Sequence, residues 1–462
     1  MQFRQFIHED LGCGSYLVAC GGSAVIVDPQ WNIDPYLAFA RDNQLQITDI
    51  AITHNHADHV SGHGRLKAAT GATIHVSAEA GVDYEHRALH PGDEITVGKA
   101  TLRAIATPGH RPEHMSFLVI DGIRSDEPVG LLSGDFLFVG DIARPDLAVK
   151  PRDGASAIFD SLQQLADSPA QLEIWPGHVG GSLCGGAGMS QKPSTTIGYE
   201  RANNDLLTST DREHFVDEMT SGLSPQPPNF QRIAEGNRGP LLTEAPAPTP
   251  LTPHAAKALL DAGAVVIDIR DPREFDAEHI PGSLSVTAAT SAIGTRAAWL
   301  TRPETEVIVV AGSDEQALAT LPKLQAAGML ATRGYLVGGV AAWRDAGLNL
   351  ASIDVVNVSG LADLLRGDER VVLVDVRDED EWLTGHVAGS IHAPFHRLRE
   401  ELPVELRDLP AGTRVAVACA AGNRSSLGAS HLRRSGIQNV DHVADGGVLD
   451  LPQYNIQLTV GA

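Results

Sequence analysis

The chain has 462 residues, of which 43% are hydrophobic and 20% are charged, and its formal net charge at pH 7 is −23. This length predicts roughly two to four domains, and the acidic balance argues against a nucleic acid or an anionic membrane as a partner. No apolar run approaches the ~20 residues of a membrane helix, and the N-terminus lacks a signal-peptide pattern, so we expect a cytoplasmic location.

The first half of the chain alternates strand and helix patterns. Short apolar runs predict strands, and apolar residues spaced at the helical period predict helices. In chain order we expect a strand over 23–28, a helix over 34–43, a strand over 47–53, a helix over 61–69, strands over 72–76, 100–107, 116–120 and 130–133, and a helix over 155–166. Alternation of this kind favours layered α/β packing.

A segment rich in potential metal ligands ends the strand over 47–53. Residues 53–59 read THNHADH, and the potential ligands in it are His54, His56, Asp58 and His59. Neutral imidazole binds zinc, iron, copper or nickel, so this spacing predicts a metal site. Three further candidates follow later strands, namely His110 in TPGH, Asp135 in SGD and His178 in WPGH.

This succession of motifs resembles the metallo-β-lactamase superfamily over residues 1–243. The resemblance implies an αββα sandwich with its metal between the two sheets. It does not specify the reaction, because the fold serves hydrolases, oxidoreductases and oxygenases.

Longer motifs are similar to those of the persulfide dioxygenases, which oxidise a thiol persulfide with O2. They read TPGHRPEHMSF, SGDFLFVGDIARPDL, PGHVGGSLCG and STTIGYERANN, over 107–117, 133–147, 176–185 and 194–204. The resemblance implies one Fe(II) per chain, held by His54, His110 and Asp135. Two histidines and a carboxylate leave positions open for O2 and for the persulfide sulfur.

The remaining potential ligands keep a second metal chemistry open. In the dioxygenase reading they orient the iron ligands. In a dinuclear zinc hydrolase of the glyoxalase II type they would complete two metal sites that activate water. These residues are His56, Asp58, His59 and His178.

Two residues are candidates for substrate binding in this domain. Cys184 lies in a glycine-rich loop close behind His178, where it is either a thiol that holds persulfide sulfur or an inert buried one. Arg144 either pairs with a carboxylate of the thiol substrate or belongs to a structural ion pair. Cys13, next to an early strand, is expected to be a small buried hydrophobic residue.

An internal repeat follows a segment rich in proline and alanine. Residues 244–253 predict an extended linker, and Thr252 with Pro253 predicts the start of a helix. Residues 265–283, VVIDIRDPREFDAEHIPGS, align with 372–390, VLVDVRDEDEWLTGHVAGS, at an offset of 107 residues. Both copies resemble rhodanese sulfurtransferases, over 254–350 and 355–462, and this implies two doubly wound α/β domains with parallel sheets.

The second copy contains a potential nucleophile. Cys419 begins the loop CAAGNRSS after an apolar strand. Backbone N–H groups and a helix N-terminus in such a loop stabilise a thiolate, and Arg424 adds positive charge, so we predict that Cys419 carries a persulfide. At the offset of 107, Gly312 and Ala317 replace Cys419 and Arg424, which predicts that the middle domain is inactive.

The domain order resembles bacterial sulfide-detoxifying fusion proteins. This implies that a low-molecular-weight thiol persulfide is oxidised to sulfite in the first domain, and that Cys419 forms or uses thiosulfate. The alternatives are a zinc-dependent thioester hydrolase with accessory rhodanese domains, and a sulfur-relay or sensor protein without catalytic activity. Relatives of the first domain also imply a dimer or a tetramer.

Overall fold

The computed structural model describes residues 1–180, 182–186, 188–367, 370–400, 402–410 and 412–461. The chain divides into two compact units. The first comprises Met1–Ala245 with Ala326–Gly328, and the second comprises Pro246–Gln325 with Met329–Ala462. In the part of the chain that the structure describes, no helix combines the length and the apolar character needed to cross a membrane.

The first unit contains two six-stranded sheets. The strands of the first sheet are β1 Gln2–His8, β2 Cys13–Cys20, β3 Ser23–Val27, β4 Gln46–Ala51, β5 Thr73–Ser77 and β6 Arg87–Leu89, in spatial order β1-β2-β3-β4-β5-β6. The strands of the second sheet are β7 Glu94–Val97, β8 Ala100–Ala106, β9 Met115–Asp121, β10 Pro128–Gly134, β11 Glu173–Pro176 and β12 Thr195–Thr196, in spatial order β12-β11-β10-β9-β8-β7. Strands β3 to β6 run parallel, and so do β10 and β11.

Helices cover the outer faces of the two sheets. They are α1 Asp34–Asp42, α2 His63–Thr70, α3 Pro151–Gln163, α4 Ile197–Asn203 and α5 Arg212–Thr220, whereas α6 Phe230–Asn237 packs against the loops that contain Ala57 and Phe138. One apolar core lies between the sheets and joins Val25 of β3 to Phe117 of β9. Separate cores join the first sheet to α1 and α2, and the second sheet to α3 and α5. These layers form the αββα sandwich that the sequence predicts.

The middle domain has a five-stranded parallel sheet. Its strands are β13 Thr249–Leu251, β14 Val265–Asp268, β15 Leu284–Ser285, β16 Val307–Val310 and β17 Thr332–Leu336, in spatial order β13-β17-β16-β14-β15. Its helices are α7 Pro253–Asp261, α8 Pro272–Ala277, α9 Ile293–Leu300, α10 Asp314–Ala326 and α11 Gly339–Asp345. Strands β14 and β16 are buried throughout, as the apolar runs VVI and VIVV require in a sheet covered on both faces.

The C-terminal domain repeats this topology. Its strands are β18 Asp354–Val356, β19 Val371–Asp375, β20 His386–Val387, β21 Ile391–His392, β22 Arg414–Ala418, β23 Val440–Val443 and β24 Leu458–Thr459. Its helices are α12 Val358–Arg366, α13 Glu379–Thr384, α14 Val404–Arg407 and α15 Asn423–Arg434. The main sheet has the order β18-β23-β22-β19-β21, and β16 and β22 begin 107 residues apart, as the repeat predicts.

The linker between the first two domains is shorter than the sequence predicts. Thr249–Leu251 forms β13 and pairs with β17, so residues 249–251 belong to the sheet of the middle domain. An edge strand tolerates Pro250, because the missing N–H can face away from the neighbouring strand. The predicted helix start is confirmed, since the Thr252 hydroxyl accepts a hydrogen bond from the Ala255 N–H at the beginning of α7.

Candidate functional site

Four strand ends bring the potential metal ligands of the first unit together. The segment 53–59 follows β4, His110 follows β8, Asp135 follows β10 and His178 follows β11. Gly109, immediately before His110, has φ +142°, and a Cβ there would lie 2.7 Å from the backbone nitrogen of Ile158. Only glycine therefore allows this loop to pass so close to α3.

His54 is held in one tautomer by its neighbours. The Thr53 hydroxyl donates to the carboxylate of Asp28, at 2.8 Å, and lies 2.9 Å from Nδ1 of His54. Because the hydroxyl proton is directed to Asp28, the hydroxyl accepts from His54, and Nδ1 carries the imidazole proton. Nε2 of His54 therefore presents a lone pair.

His110 is oriented in the same way by a backbone group. Its Nδ1 lies 3.0 Å from the carbonyl oxygen of Arg144, which can only accept, so Nδ1 is protonated and Nε2 presents a lone pair. A hydrogen bond that fixes the distal nitrogen in this way is characteristic of metal-binding histidines.

Asp135 completes a group of three candidate ligand atoms. Its Oδ2 lies 3.5 Å from Nε2 of His110 and 3.9 Å from Nε2 of His54. All three atoms are buried and have no hydrogen-bond partner among the described residues. Buried polar atoms are normally paired, so three convergent unpaired lone-pair atoms fit a metal ion.

The protonation states of this group suit metal binding. Burial, together with the nearby His56, lowers the pKa of His54 well below its ordinary value, and burial also lowers the pKa of His110. Burial alone would raise the pKa of Asp135, but the positive charge of His178 outweighs it and lowers that pKa. Two neutral imidazoles and one carboxylate are the forms that ligands must adopt.

His178 lies beside this group with both nitrogens engaged. Nδ1 lies 2.8 Å from Oδ1 of Asp135, and Nε2 lies 2.9 Å from Oδ2 of Asp58. Burial opposes a charge on His178, but the negative charges of Asp135 and Asp58 raise its pKa well above the ordinary value. As a donor to two carboxylates, His178 orients Asp135 and presents no lone pair in this arrangement.

A second group of potential ligands is formed by His56, Asp58 and His59, whose ligand atoms lie within 4.8 Å of one another. Oδ2 of Asp58 accepts hydrogen bonds from His178 and from Nδ1 of His59, whereas its Oδ1 and Nε2 of His59 have no partner among the residues described. Nε2 of His56 lies 3.1 Å from the carboxylate of Asp28. His178 belongs to two further groups that could hold a metal ion, one with Cys13 and Asp58 and one with Asp135 and Cys184.

Two buried thiols flank His178. Cys13 donates to Oδ2 of Asp58 at 3.0 Å, and Cys184 has its sulfur within 4.8 Å of ligand atoms of Asp135 and His178. Burial and the charge of Asp58 raise the pKa of both thiols above their ordinary values, so both are neutral at pH 7. Cys184 thus lies at the site as predicted, and Cys13 is a site residue that we expected to be merely a buried hydrophobic one.

Arg144 is occupied by structural contacts. Its guanidinium donates to both carboxylate oxygens of Asp146, at 2.7 and 2.8 Å, and to the carbonyls of Leu183 and Ser224. Of the two roles predicted for Arg144, these contacts favour the structural ion pair over the binding of a substrate carboxylate. Its contribution to the site is the backbone carbonyl that orients His110.

Three other residues near the ligands were not predicted from the sequence. Asp28 anchors Thr53, and Nε2 of His114 accepts from the backbone N–H of Asp135 at 3.0 Å. Asn237 donates to the carbonyls of His56 and His59, both at 2.9 Å. Asn237 is 178 residues from His59 in sequence, and no local pattern signals such a contact.

The second candidate site lies in the C-terminal domain. Cys419 follows β22, and its Sγ accepts a hydrogen bond from the Gly422 N–H at 3.1 Å and lies 3.4 Å from the Ser425 hydroxyl. Gly422 has φ +99° and immediately precedes α15. The sulfur therefore lies in a loop of backbone donors at a helix N-terminus, an arrangement that stabilises an anionic sulfur.

Arg424 pairs with carboxylates of α13 and its N-terminal cap. Its guanidinium contacts Glu381 through both terminal nitrogens and donates to Asp378 at 3.1 Å. The prediction that Arg424 adds charge near Cys419 is thus modified, because most of its charge is compensated by these carboxylates.

Replacing Arg424 with methionine is expected to lower stability in a pH-dependent way. Burial alone would raise the pKa of Glu381, but Arg424 outweighs it and lowers that pKa below its ordinary value of 4.5. A group with a lowered pKa in the folded state stabilises the fold above its unfolded pKa and loses this contribution as the pH falls. We expect the variant to lose about 1 kcal/mol at pH 7 and progressively less as the pH falls through the lowered pKa of Glu381, as measured by chemical unfolding at pH 7 and at acidic pH.

The corresponding loop of the middle domain has no nucleophile. The N–H of Gly312 donates to the side-chain oxygen of Gln316 at 2.9 Å. The backbone N–H of Gln316 donates to the Ser313 hydroxyl. Asp314 and Glu315 follow in the first turn of α10. An acidic first turn repels an anion, so this copy lacks the features that stabilise a thiolate or a persulfide.

Comparisons with known proteins agree with these two kinds of domain. The model of the metallo-β-lactamase superfamily matches residues 9–178, and the model of the rhodanese-like domain matches residues 252–346 and 358–450. A solved metallo-β-lactamase from Staphylococcus aureus subsp. aureus COL is 31% identical, with 73% of this chain and 98% of that chain covered and a TM-score of 0.65.

Two further relatives match part of the chain. Hydroxyacylglutathione hydrolase of Rhodospirillum rubrum is 34% identical over 170 residues, which are 35% of this chain and 60% of that protein. The chain thus spans about 60% of the length of this curated relative. The solved ETHE1 from Myxococcus xanthus is 28% identical, with 52% of this chain and 98% of that chain covered and a TM-score of 0.45.

Proposed function

Because the chain belongs to the metallo-β-lactamase superfamily and carries two rhodanese-like domains, we propose that it is an iron(II) persulfide dioxygenase fused to a thiosulfate sulfurtransferase. The observation that carries this proposal is the face formed by Nε2 of His54, Nε2 of His110 and Oδ2 of Asp135. His178 supports it, because its two nitrogens contact Asp135 and Asp58 in this arrangement, where it would orient a ligand of the metal.

The three ligand residues suit a non-haem iron oxygenase. Iron(II) held by His54, His110 and Asp135 would supply the redox chemistry by which O2 oxidises a persulfide sulfur. Thr53 and the Arg144 carbonyl keep the Nε2 lone pairs of His54 and His110 directed at the site. His178 contacts Oδ1 of Asp135, and His114 accepts a hydrogen bond from the backbone N–H of Asp135. Both contacts hold the residue in place and leave Oδ2 of its carboxylate available for the metal.

The overall oxidation balances without a further reductant. One thiol persulfide, one O2 and one water give one thiol, one sulfite and two protons. The outer sulfur loses the electrons that O2 gains, and the S–S bond of the persulfide breaks. The proposed substrate is a persulfide of a low-molecular-weight thiol.

Cys419 would transfer sulfur by nucleophilic displacement. Its thiolate attacks the outer sulfur of thiosulfate, the S–S bond of thiosulfate breaks, and sulfite leaves with the bonding electrons. The Gly422 N–H, 3.1 Å from Sγ, and the N-terminus of α15 stabilise the sulfur anion before and after this step. In the reverse direction, sulfite from the first domain takes the sulfur from Cys419 and leaves as thiosulfate.

A zinc-dependent thioester hydrolase is the second candidate function. Two observations favour it: the second ligand group of His56, Asp58 and His59, and the relatives named hydroxyacylglutathione hydrolase. Two zinc ions in the adjacent groups would activate water for attack on a thioester.

Oxygen uptake by metal-quantified protein separates the two candidates. We expect protein purified without O2 to consume O2 when given glutathione persulfide, at a rate proportional to its iron content, and to form one sulfite per O2. Zinc-loaded protein should consume none. Zinc as the native metal, hydrolysis of a glutathione thioester and no O2 uptake after iron loading would favour the hydrolase.

A further inference from the structure

We propose that Asp276 and His442 are positioning residues for Cys419, so that the middle domain, which has no nucleophile of its own, holds the sulfur-carrying loop of the C-terminal domain in its reactive shape. This inference rests on the proposed sulfur transfer at Cys419. Asp276 lies on α8 of the middle domain, and His442 lies on β23 of the C-terminal domain.

The two side chains connect the middle domain to the loop by hydrogen bonds. Nδ1 of His442 lies 2.7 Å from Oδ2 of Asp276, and Nε2 of His442 lies 2.7 Å from the carbonyl oxygen of Gly422. Both side chains are fully buried. Because a carbonyl only accepts, Nε2 carries a proton and donates it to Gly422.

Gly422 is the residue whose N–H contacts the sulfur. Its N–H donates to Sγ of Cys419, and its carbonyl also accepts from the Ser425 hydroxyl at 2.8 Å. The same carbonyl accepts from the Ser426 N–H in the first turn of α15 at 3.0 Å, so His442 on β23 adds a contact from outside that helix. Gly422, at φ +99°, has no side chain that would limit its rotation. The hydrogen bond from His442 therefore limits the rotation of the residue that stabilises the sulfur anion.

Asp276 holds His442 in the orientation that the loop needs. Without a partner at Nδ1, the buried ring would lose its polar contact and be free to turn its Nε2–H away from Gly422. Apolar packing supports the same arrangement, because Phe275 joins the core of the C-terminal domain and Leu427 of α15 joins the core of the middle domain. The retention of a domain without a nucleophile thus has a physical reason.

Replacing Asp276 with alanine in the full-length protein tests the proposal. We expect thiosulfate:cyanide sulfur transfer to fall about tenfold to a hundredfold in kcat, as for other small displacements of a reacting group, with little change in the KM for thiosulfate. Alkylation of Cys419 by iodoacetamide, followed by mass spectrometry, should slow in parallel. Asp276→Asn keeps a polar partner for Nδ1 and should restore both rates.

Arg399→Met is the matched control. Arg399 of the C-terminal domain donates to the carbonyls of Ala298 and Thr301 in the middle domain, so the variant also removes a contact between these two domains, but it lies outside the loop of Cys419. We expect its sulfur transfer and its alkylation rate to match those of the wild type. A loss equal to that of Asp276→Ala would show a general effect of the interface and would overturn the proposal.

A double variant shows whether Asp276 acts through His442. Glutamine at position 442 can donate to Gly422 without help from Asp276, so Asp276→Ala with His442→Gln should be at least as active as Asp276→Ala alone. Additive losses would overturn the proposal. If Asp276→Ala does not fold, His442→Gln and His442→Leu replace it, and only the leucine variant should alkylate slowly. The alkylation rate reports on the shape of the loop even if the wild type transfers no sulfur. A wild type without sulfur transfer would refute the proposed function, whereas an unchanged alkylation rate in Asp276→Ala would refute the positioning role.

Discussion

Replacing Cys419 with serine is expected to abolish thiosulfate:cyanide sulfur transfer while persulfide-dependent O2 uptake continues. A serine hydroxyl is not ionised near pH 7 and cannot form the S–S bond that carries the sulfur, so the loss should be about 10³-fold or more. The substitution should preserve the fold, because a hydroxyl can accept the same Gly422 N–H. Thiocyanate formation and O2 consumption, measured on the same preparation, check both halves of this result.

Cys20→Ser is a suitable control for this variant. Cys20 is a half-buried thiol of the first unit whose sulfur accepts only a weak hydrogen bond from the Lys99 N–H, at 3.4 Å. We expect its sulfur transfer to equal that of the wild type. If Cys419→Ser still formed thiocyanate at the wild-type rate, another thiol would have to carry the sulfur, and the assigned role of Cys419 would be wrong.

The fold was accessible from the sequence because its determinants are local. The predicted strand over 100–107 corresponds to β8 Ala100–Ala106, and the apolar run before Cys419 corresponds to β22 Arg414–Ala418. The repeat placed the third domain by its offset from the second. The strand β13 was missed, since Thr249–Leu251 has no apolar run of its own and gains its ladder from β17, more than 80 residues later.

The residue types of the two sites were also accessible, but their division of roles was not. The histidine and aspartate candidates of the first domain were identified from their positions after strands, whereas Cys13 was not. That Nε2 of His178 contacts Asp58, 120 residues earlier, depends on loops converging in three dimensions. The partners of Arg144 and Arg424 decide whether these arginines are available to a ligand, and carboxylates at many positions of an acidic chain could have filled that role.

His110→Ala is expected to remove the metal and the O2 uptake together. The variant deletes one of three converging ligand atoms, and alanine leaves only two of them in place. Metal content measured by elemental analysis should fall from about one iron per chain to near zero, with O2 uptake below detection. His90→Ala, at a largely exposed histidine of the same unit, should keep both properties.

His178→Gln distinguishes a one-metal site from a two-metal site. In the proposed arrangement His178 donates to Asp135 and Asp58 and is not a ligand, so glutamine should leave about one iron per chain and lower O2 uptake roughly tenfold to a hundredfold, as expected for a residue that orients a ligand. In a dinuclear zinc site the same variant would lose one of two metals. His178→Gln leaves His56, Asp58 and His59 unchanged, so the metal count of the variant depends on the role of His178 alone. Two bound metals per chain in the wild type, reduced to one in the variant, would contradict the dioxygenase.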